Sequence, residues 1–304
     1  MLAHPATRRR AQPAAILVRA AAVLALAAIV GSAAVAAGAE QAGGKRKPVS
    51  FTVSEYAYKK LERAHKLLAE EQYEEASKVI EELARRRGLS RHERALIEQT
   101  RGYIASSQGR YAEAAAAFER CLKLEALPEG AQLNTRYNLA QLYLALERYD
   151  AAIETLKRWF AETENPGPAA YYLLAVAYAQ AGRREQALEP ARKAVEKAKE
   201  PKEAWLELLL ALYLERKNYE RARPLLEQLV LRFPKKRYWL QLSAVYAELG
   251  RERDALAAMQ LAYEQKLLDG DSELRNLARM YLYHEIPYQA ARVLERGLAE
   301  GRIK

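Results

Sequence analysis

The residues able to do chemistry are few. Histidine appears in two helix-like settings next to a glutamate, His92-Glu93 and His284-Glu285. A zinc-protease helix needs a second histidine four residues after the first, so that both imidazoles share one face. Those positions hold Leu96 and Tyr288, and His65 stands by itself. The single cysteine, Cys121, excludes a Cys-x-x-Cys redox pair, an internal disulfide and a cysteine-rich zinc module. No Gly-x-Ser-x-Gly elbow is present. Gly43-Gly44-Lys45 lacks both the earlier glycine and the following Ser or Thr that a phosphate loop requires. Asp150, Asp254, Asp269 and Asp271 are the four aspartates, and the other acids are glutamates interleaved with Lys and Arg at helical spacing, the habit of solvated helix faces. No enzyme, cofactor or metal site is expected.

The elements around these residues explain them better. The phrase Tyr-x-x-Ala recurs as Tyr73–Ala76, Tyr111–Ala114, Tyr149–Ala152 and Tyr219–Ala222. The same alanine slot follows a turn glycine at Gly182–Ala187 and Gly250–Ala255, and a shifted copy ends at Ala290. With that alanine as position 20, units begin at 57, 95, 133, 168, 203, 236 and 271, at spacings of 33 to 38 residues. Position 8 is small in Ala64, Gly102, Ala140, Ala175, Ser243 and Ala278, with Leu210 the exception. Position 11 is Tyr143, Tyr178, Tyr213, Tyr246 and Tyr281, and position 27 is Cys121, Ala194, Ala262 and Gly297. The pattern resembles tetratricopeptide repeats, whose period is about 34 residues. The longer spacings predict small loop insertions.

Each unit reads as two amphipathic helices. In the third, Leu139, Leu142, Tyr143 and Leu146 share one stripe, and Ala152, Leu156 and Trp159 another. Small residues at positions 8, 20 and 27 let paired helices approach, and a tyrosine at 11 fills the wedge while keeping its hydroxyl wet. Cys121 falls in a small core slot, where an inert thiol is expected. Trp159, Trp205 and Trp239 read as core or groove lining. One pair cannot bury both its faces, so neighbours must stack. The expected fold is all-α, and the resemblance implies a right-handed superhelical solenoid over 56–304 with a concave face built from first helices.

That resemblance also implies where a peptide or helix would bind. The concave positions are Gln99 and Tyr103, then Tyr137, Asn138 and Gln141, then Tyr172, Leu173 and Val176. In the following units they are Glu207, Leu208 and Ala211, then Leu240 and Gln241. The family's carboxylate clamp is absent: Asn138 fits one slot, but Gln99 and Tyr103 precede it and Ala169 and Leu173 follow. A groove of Tyr, Asn, Gln and aliphatics suits an apolar-anchored protein segment.

Upstream, Arg8, Arg9, Arg10 and Arg19 precede Ala20–Ala37, 18 uncharged residues of which ten are alanine, and then Ala37-Gly38-Ala39. A basic start, an apolar run and a small-x-small site predict a secretory signal peptide over 1–39, cleaved after Ala39, which places the protein in the periplasm or outside the cell. The run also approaches the length of a membrane span, so an uncleaved anchor is the alternative. Residues 40–55, with Gly43, Gly44 and Pro48, read as a flexible linker. The net charge of +10 looks like a nucleic-acid signal. Without the four leader arginines, however, 45 basic residues face 39 acidic ones, a balance of +6 spread along the repeats. Arg85-Arg86-Arg87 and Lys235-Lys236-Arg237 are expected at or just after the end of a second helix, complementing its dipole. No nucleic-acid partner is expected.

A second resemblance rests on Tyr137-Asn138-Leu139-Ala140-Gln141-Leu142-Tyr143, Arg158-Trp159-Phe160 and Tyr238-Trp239-Leu240-Gln241-Leu242-Ser243. These stretches resemble the periplasmic tetratricopeptide proteins that accompany TonB–ExbB–ExbD energy-transduction systems, over about residues 55–304. The resemblance implies an adaptor that scaffolds or regulates such a complex. The alternative is a secreted scaffold for envelope or secretion-machinery assembly. Family members continue into further repeats, whereas this chain stops at Gly301-Arg302-Ile303-Lys304. A terminal repeat without a polar cap implies truncation, or cover by a partner or a second copy.

Overall fold

The computed structural model describes residues 51–304. The signal peptide expected over 1–39 and the linker residues 40–50 lie outside the described residues. Among the described residues there are fourteen helices and no strand. They divide into two compact units, the first ending at Pro190 and the second beginning at Ala191.

In the first unit α1 (Glu55–Ala69) pairs with α2 (Tyr73–Ala84), α3 (Arg91–Ser107) with α4 (Tyr111–Lys123), and α5 (Glu129–Ala145) with α6 (Tyr149–Glu162). Next come α7 (Pro168–Gln180) and the start of α8 (Arg184–Lys197). The second unit holds the rest of α8 and the pairs α9 (Glu203–Glu215) with α10 (Tyr219–Arg232), α11 (Lys236–Glu248) with α12 (Glu252–Glu264), and α13 (Asp271–Tyr283) with α14 (Pro287–Ala299).

The last four first helices start at the expected residues 168, 203, 236 and 271. The first three start earlier, at Glu55, Arg91 and Glu129. α3 and α5 run 17 residues, against 13 in α7, α9, α11 and α13. The extra residues expected as loop insertions are therefore an added helical turn. Ser90 makes this possible in α3: its hydroxyl accepts the Glu93 N–H at 3.0 Å while the Glu93 carboxylate accepts the Ser90 N–H at 2.7 Å.

Within every pair the turn is three residues long, and its middle residue has positive φ. Gly109, Gly182 and Gly250 adopt it without steric cost, but Glu71, Glu147, Lys217 and Glu285 hold φ of 53° to 59°. The third turn residue returns its N–H to a first-helix carbonyl five residues back: Gln72 to Leu67, Arg148 to Tyr143 and Asn218 to Tyr213, for example, at 2.8–2.9 Å. This closure satisfies carbonyls that a helix end leaves orphaned. The position-20 alanine then donates to the third turn residue, as Ala152 does to Arg148 at 3.0 Å.

Those alanines are the buried centre of each pair. Ala76, Ala114, Ala152, Ala187, Ala222, Ala255 and Ala290 are all 2% exposed or less. Position 8 packs against the second helix: a Cβ on Gly102 would lie 2.3 Å from the Phe118 ring. Ser243 is buried too, and its hydroxyl donates to the Ala255 carbonyl at 2.9 Å. Leu210, the large residue at this position, is likewise buried.

Three expectations change. The linker expected to run to 55 does not include Phe51–Ser54. Phe51 sits edge-on to His92 with ring centroids 5.4 Å apart, Val53 packs on the first core, and Ser54 caps α1. The wedge tyrosines Tyr143 and Tyr246 do not keep their hydroxyls for water. They donate to Glu119 and Glu227 of the preceding second helix, both at 2.8 Å. Burial, reinforced by the neighbouring glutamate, pushes both phenols up to about 12. At the far end, Ile303 folds onto Gly297 and Leu274, and Arg275 holds the Lys304 carbonyl at 2.6 Å. The tail thus covers part of the last pair, while Leu282, Tyr283, Tyr288 and Leu298 stay exposed.

Candidate partner-binding face

In the first unit the first helices α1, α3 and α5 are joined by polar rungs. His65 Nε2 lies 3.1 Å from Thr100 Oγ1. Because that hydroxyl donates to the Leu96 carbonyl, the imidazole must supply the proton of the rung. One repeat on, Gln99 Nε2 donates to Thr135 Oγ1 at 2.7 Å, and Thr135 donates to the Ala131 carbonyl. Asn138 bonds the Tyr103 phenol, whose ring stands edge-on to Phe118 at 5.3 Å. Burial raises the Tyr103 phenol above its ordinary value, and the Asn138 bond opposes that rise. The same i-to-i+4 side-chain-to-carbonyl bond anchors Thr100 and Thr135, so each threonine is a fixed acceptor for the preceding helix.

The structure therefore brings Gln99, Tyr103 and Asn138 together, and Tyr137 beside them opens a row of rings. Tyr137 contacts Trp159 at 5.2 Å, Trp159 contacts Phe160 at 5.2 Å, and Phe160 contacts Tyr171 at 4.9 Å. The row crosses α5, α6 and α7 and gives Trp159 its place. Gln141, Tyr172 and Leu173 are half-buried, and Leu173 leans on the same core. Val176, expected on the face, is 7% exposed and belongs to the packing. Thr100 and Thr135 are the rung residues the repeat positions did not indicate. Their signal is a threonine on a first helix whose hydroxyl returns to the carbonyl four residues back.

In the second unit Ala211 and Gln241 are exposed and Leu240 is half-buried. Leu208 is buried at 9% exposure and offers no contact surface. Glu207 is already engaged: Tyr238 donates to both Glu203 and Glu207, and Arg237 pairs with both. Burial, then the two carboxylates, drive the Tyr238 phenol far above its usual value. Lys235 reaches Glu203 at 2.6 Å, and Lys236 reaches Asp269 at 2.6 Å and Glu273 at 3.2 Å. Lys236 and Arg237 start α11 and do not follow a helix end as expected. Carboxylates on the neighbouring first helices offset their poor placement against the α11 dipole.

Among the described residues no group of three His, Cys, Asp or Glu side chains could hold a metal ion, and no helix is long and apolar enough to cross a membrane. His92 is buried with Nδ1 2.6 Å from the Ala126 carbonyl, and the Cys121 thiol donates to the Ala95 carbonyl at 3.2 Å. Both serve the packing.

Three tetratricopeptide repeat profiles match residues 105–177, 168–199 and 208–266. The chain carries tetratricopeptide repeats. The first and last helix pairs lie outside these tetratricopeptide matches, yet share the three-residue turn and the buried alanine. Among curated proteins none matches the chain. A tetratricopeptide repeat protein from Parabacteroides merdae superposes with a TM-score of 0.51 at 16% identity, covering 81% of this chain and 93% of that one. A double mutant of MamA from RS-1 superposes with a TM-score of 0.50 at 21% identity, covering 59% of this chain and 95% of that one. Likenesses at these identities establish the fold alone.

Proposed function

We propose that this protein is a non-catalytic scaffold that binds an extended peptide or a helix on the first-helix face, in the periplasm, as adaptor of a TonB-type energy-transduction complex. The observation that carries the scaffold reading is the fixed polar and aromatic face of α3 and α5. Its rungs hold Gln99 and Asn138 in place while leaving their amides unused donor and acceptor capacity. A preorganised face loses little side-chain entropy on binding. The leader composition supports export. The adaptor reading rests on the resemblance of residues 137–143, 158–160 and 238–243. Leu139, Ala140, Leu142, Tyr143, Tyr238, Trp239, Leu242 and Ser243 in those stretches are buried, so most of what they share is packing.

Affinity capture with residues 40–304 as bait tests the reading. Recovery of energy-transduction subunits supports it. Recovery of assembly factors alone selects the secreted envelope scaffold instead. Alanine at Tyr137, Asn138 and Tyr172 abolishes capture while the helical signal is retained; full capture by that variant removes the first-helix face from the account. Sequencing the exported product separates a cleaved leader from a retained anchor. Sedimentation shows whether the exposed Leu282, Tyr283 and Leu298 make the protein self-associate.

A further inference from the structure

The second-helix side of the first unit carries a groove unrelated to the first-helix face. It lies between α2 and α4 over the back of α3 as an open groove of about 630 Å³. Its floor is apolar, formed by Leu89, Ile97 and Leu124. Its walls carry Arg86, Arg94, Arg101, Arg120 and Lys123 against the single carboxylate of Glu98.

These cations differ in how far they are committed. Arg101 is spent: its Nε and one terminal nitrogen grip Glu81 at 2.8 Å, and the other terminal nitrogen meets Glu98. Arg120 gives only Nε to Glu98, at 2.9 Å. Glu98, with a side chain 14% exposed, thereby fixes both guanidinium groups. Arg86 lies over the Tyr56 ring, 4.4 Å from its centroid, which leaves its in-plane N–H donors open. Arg94 and Lys123 are exposed, and no carboxylate among the described residues pairs with either. A second cavity of about 380 Å³ shares Arg101 and Arg120 and continues over Ile104 and Ala117. There two carboxylates, Glu81 and Glu113, face Arg101, Arg110 and Arg120, and Arg110 pairs with Glu113 at 2.6 Å. One trough thus runs from a strongly cationic end with an apolar floor to a more polar end whose charges are largely paired.

We propose that this trough is a second binding site, for an acidic peptide segment whose carboxylates meet Arg94, Arg120 and Lys123 and whose aliphatic side chains lie on the floor. Arginine clusters read acidic motifs through charge-assisted hydrogen bonds, and the cavity is of ordinary ligand-site size. A nucleic acid fits poorly, since no aromatic ring lines the trough to stack a base. A bilayer cannot reach apolar residues that form a floor below charged walls. The protein's own Lys45-Arg46-Lys47 stretch carries the same sign of charge as the walls and offers no complement to them.

Fluorescence anisotropy of the whole protein with a fluorescein-labelled octapeptide of alternating glutamate and leucine tests this. The matched glutamine–leucine peptide, anionic phosphatidylglycerol vesicles and a labelled single-stranded oligonucleotide are the competing probes. The glutamate peptide should bind most tightly and weaken with salt. Arg94→Gln with Lys123→Gln should raise its Kd by about tenfold or more. Arg292→Gln, on α14, should leave it unchanged. Should the double variant melt early, Lys123→Gln alone, at the exposed end of α4, serves in its place. Equal binding of the two peptides, indifference to the variants, or preference for vesicles or oligonucleotide overturns the proposal.

Discussion

The Ser54 hydroxyl and the Glu93 carboxylate meet at 2.7 Å across 39 residues of sequence, from one first helix to the next. The same carboxylate oxygen accepts the Ser54 N–H at 3.0 Å, and the other accepts the Ser90 N–H. One glutamate therefore ties the N-terminal caps of two successive first helices. Burial by itself would raise this carboxyl, but the Ser54 and Ser90 bonds outweigh it and hold the group at about 2. A carboxyl depressed on folding stabilises the fold fully above its unfolded value near 4.5 and loses that contribution as pH falls towards 2. Glu93→Gln should lower stability at neutral pH by about 2 kcal/mol and flatten the acid side of the profile. Urea melts between neutral and acidic pH measure both, and an unchanged profile would show that Glu93 does not link the caps.

The four non-glycine residues at the middle of the within-pair turns hold positive φ and are strained positions. Replacing Glu71, Glu147, Lys217 or Glu285 with glycine should stabilise the protein by about 0.5–1 kcal/mol each. Gly109→Ala should destabilise it by a similar amount, because its φ is +72°. Thermal melts of the single and combined variants read the sign directly.

Gly102 marks the closest approach of α3 and α4. Gly102→Ala should cost roughly 1–3 kcal/mol, since its methyl group must displace the Phe118 ring. Phe118→Leu should recover part of that loss in the double variant. Additive costs would mean that the two side chains do not compete for one space.

Cys121 should be silent in the folded protein. Burial, with the charge of Glu98 second, raises its thiol to about 12, so the reactive thiolate is scarce at neutral pH. An aromatic disulfide reagent should report no thiol in the native protein and one after unfolding in urea. Rapid native labelling would contradict the buried placement.

Much of the fold was legible in the sequence, because the position-20 alanine recurs wherever a second helix presses on a first. Ala152 and Ala222 need a methyl group there and nothing larger. The start of α3 was not legible: the repeat frame begins at Ala95, whereas the helix begins where Ser90 and Glu93 cap each other. The candidate face was read less well. A repeat position assigns Val176 and Leu208 by angle, but burial depends on the neighbours each helix meets, and both are packed. The cationic trough left no periodic trace, since Arg86, Arg94, Arg120 and Lys123 come from three segments that only stacking brings together.

The seven identical three-residue turns have a mechanical consequence. Each closes on itself through a first-helix carbonyl, so the elbow inside a pair keeps one length and one geometry in every pair. The connections between pairs differ in length, from three residues at 233–235 to six at 85–90. Bending, insertion and excision of whole pairs are therefore channelled to those seams. A repeat protein of this build lengthens or shortens by bricks, each delivered with its joint already set.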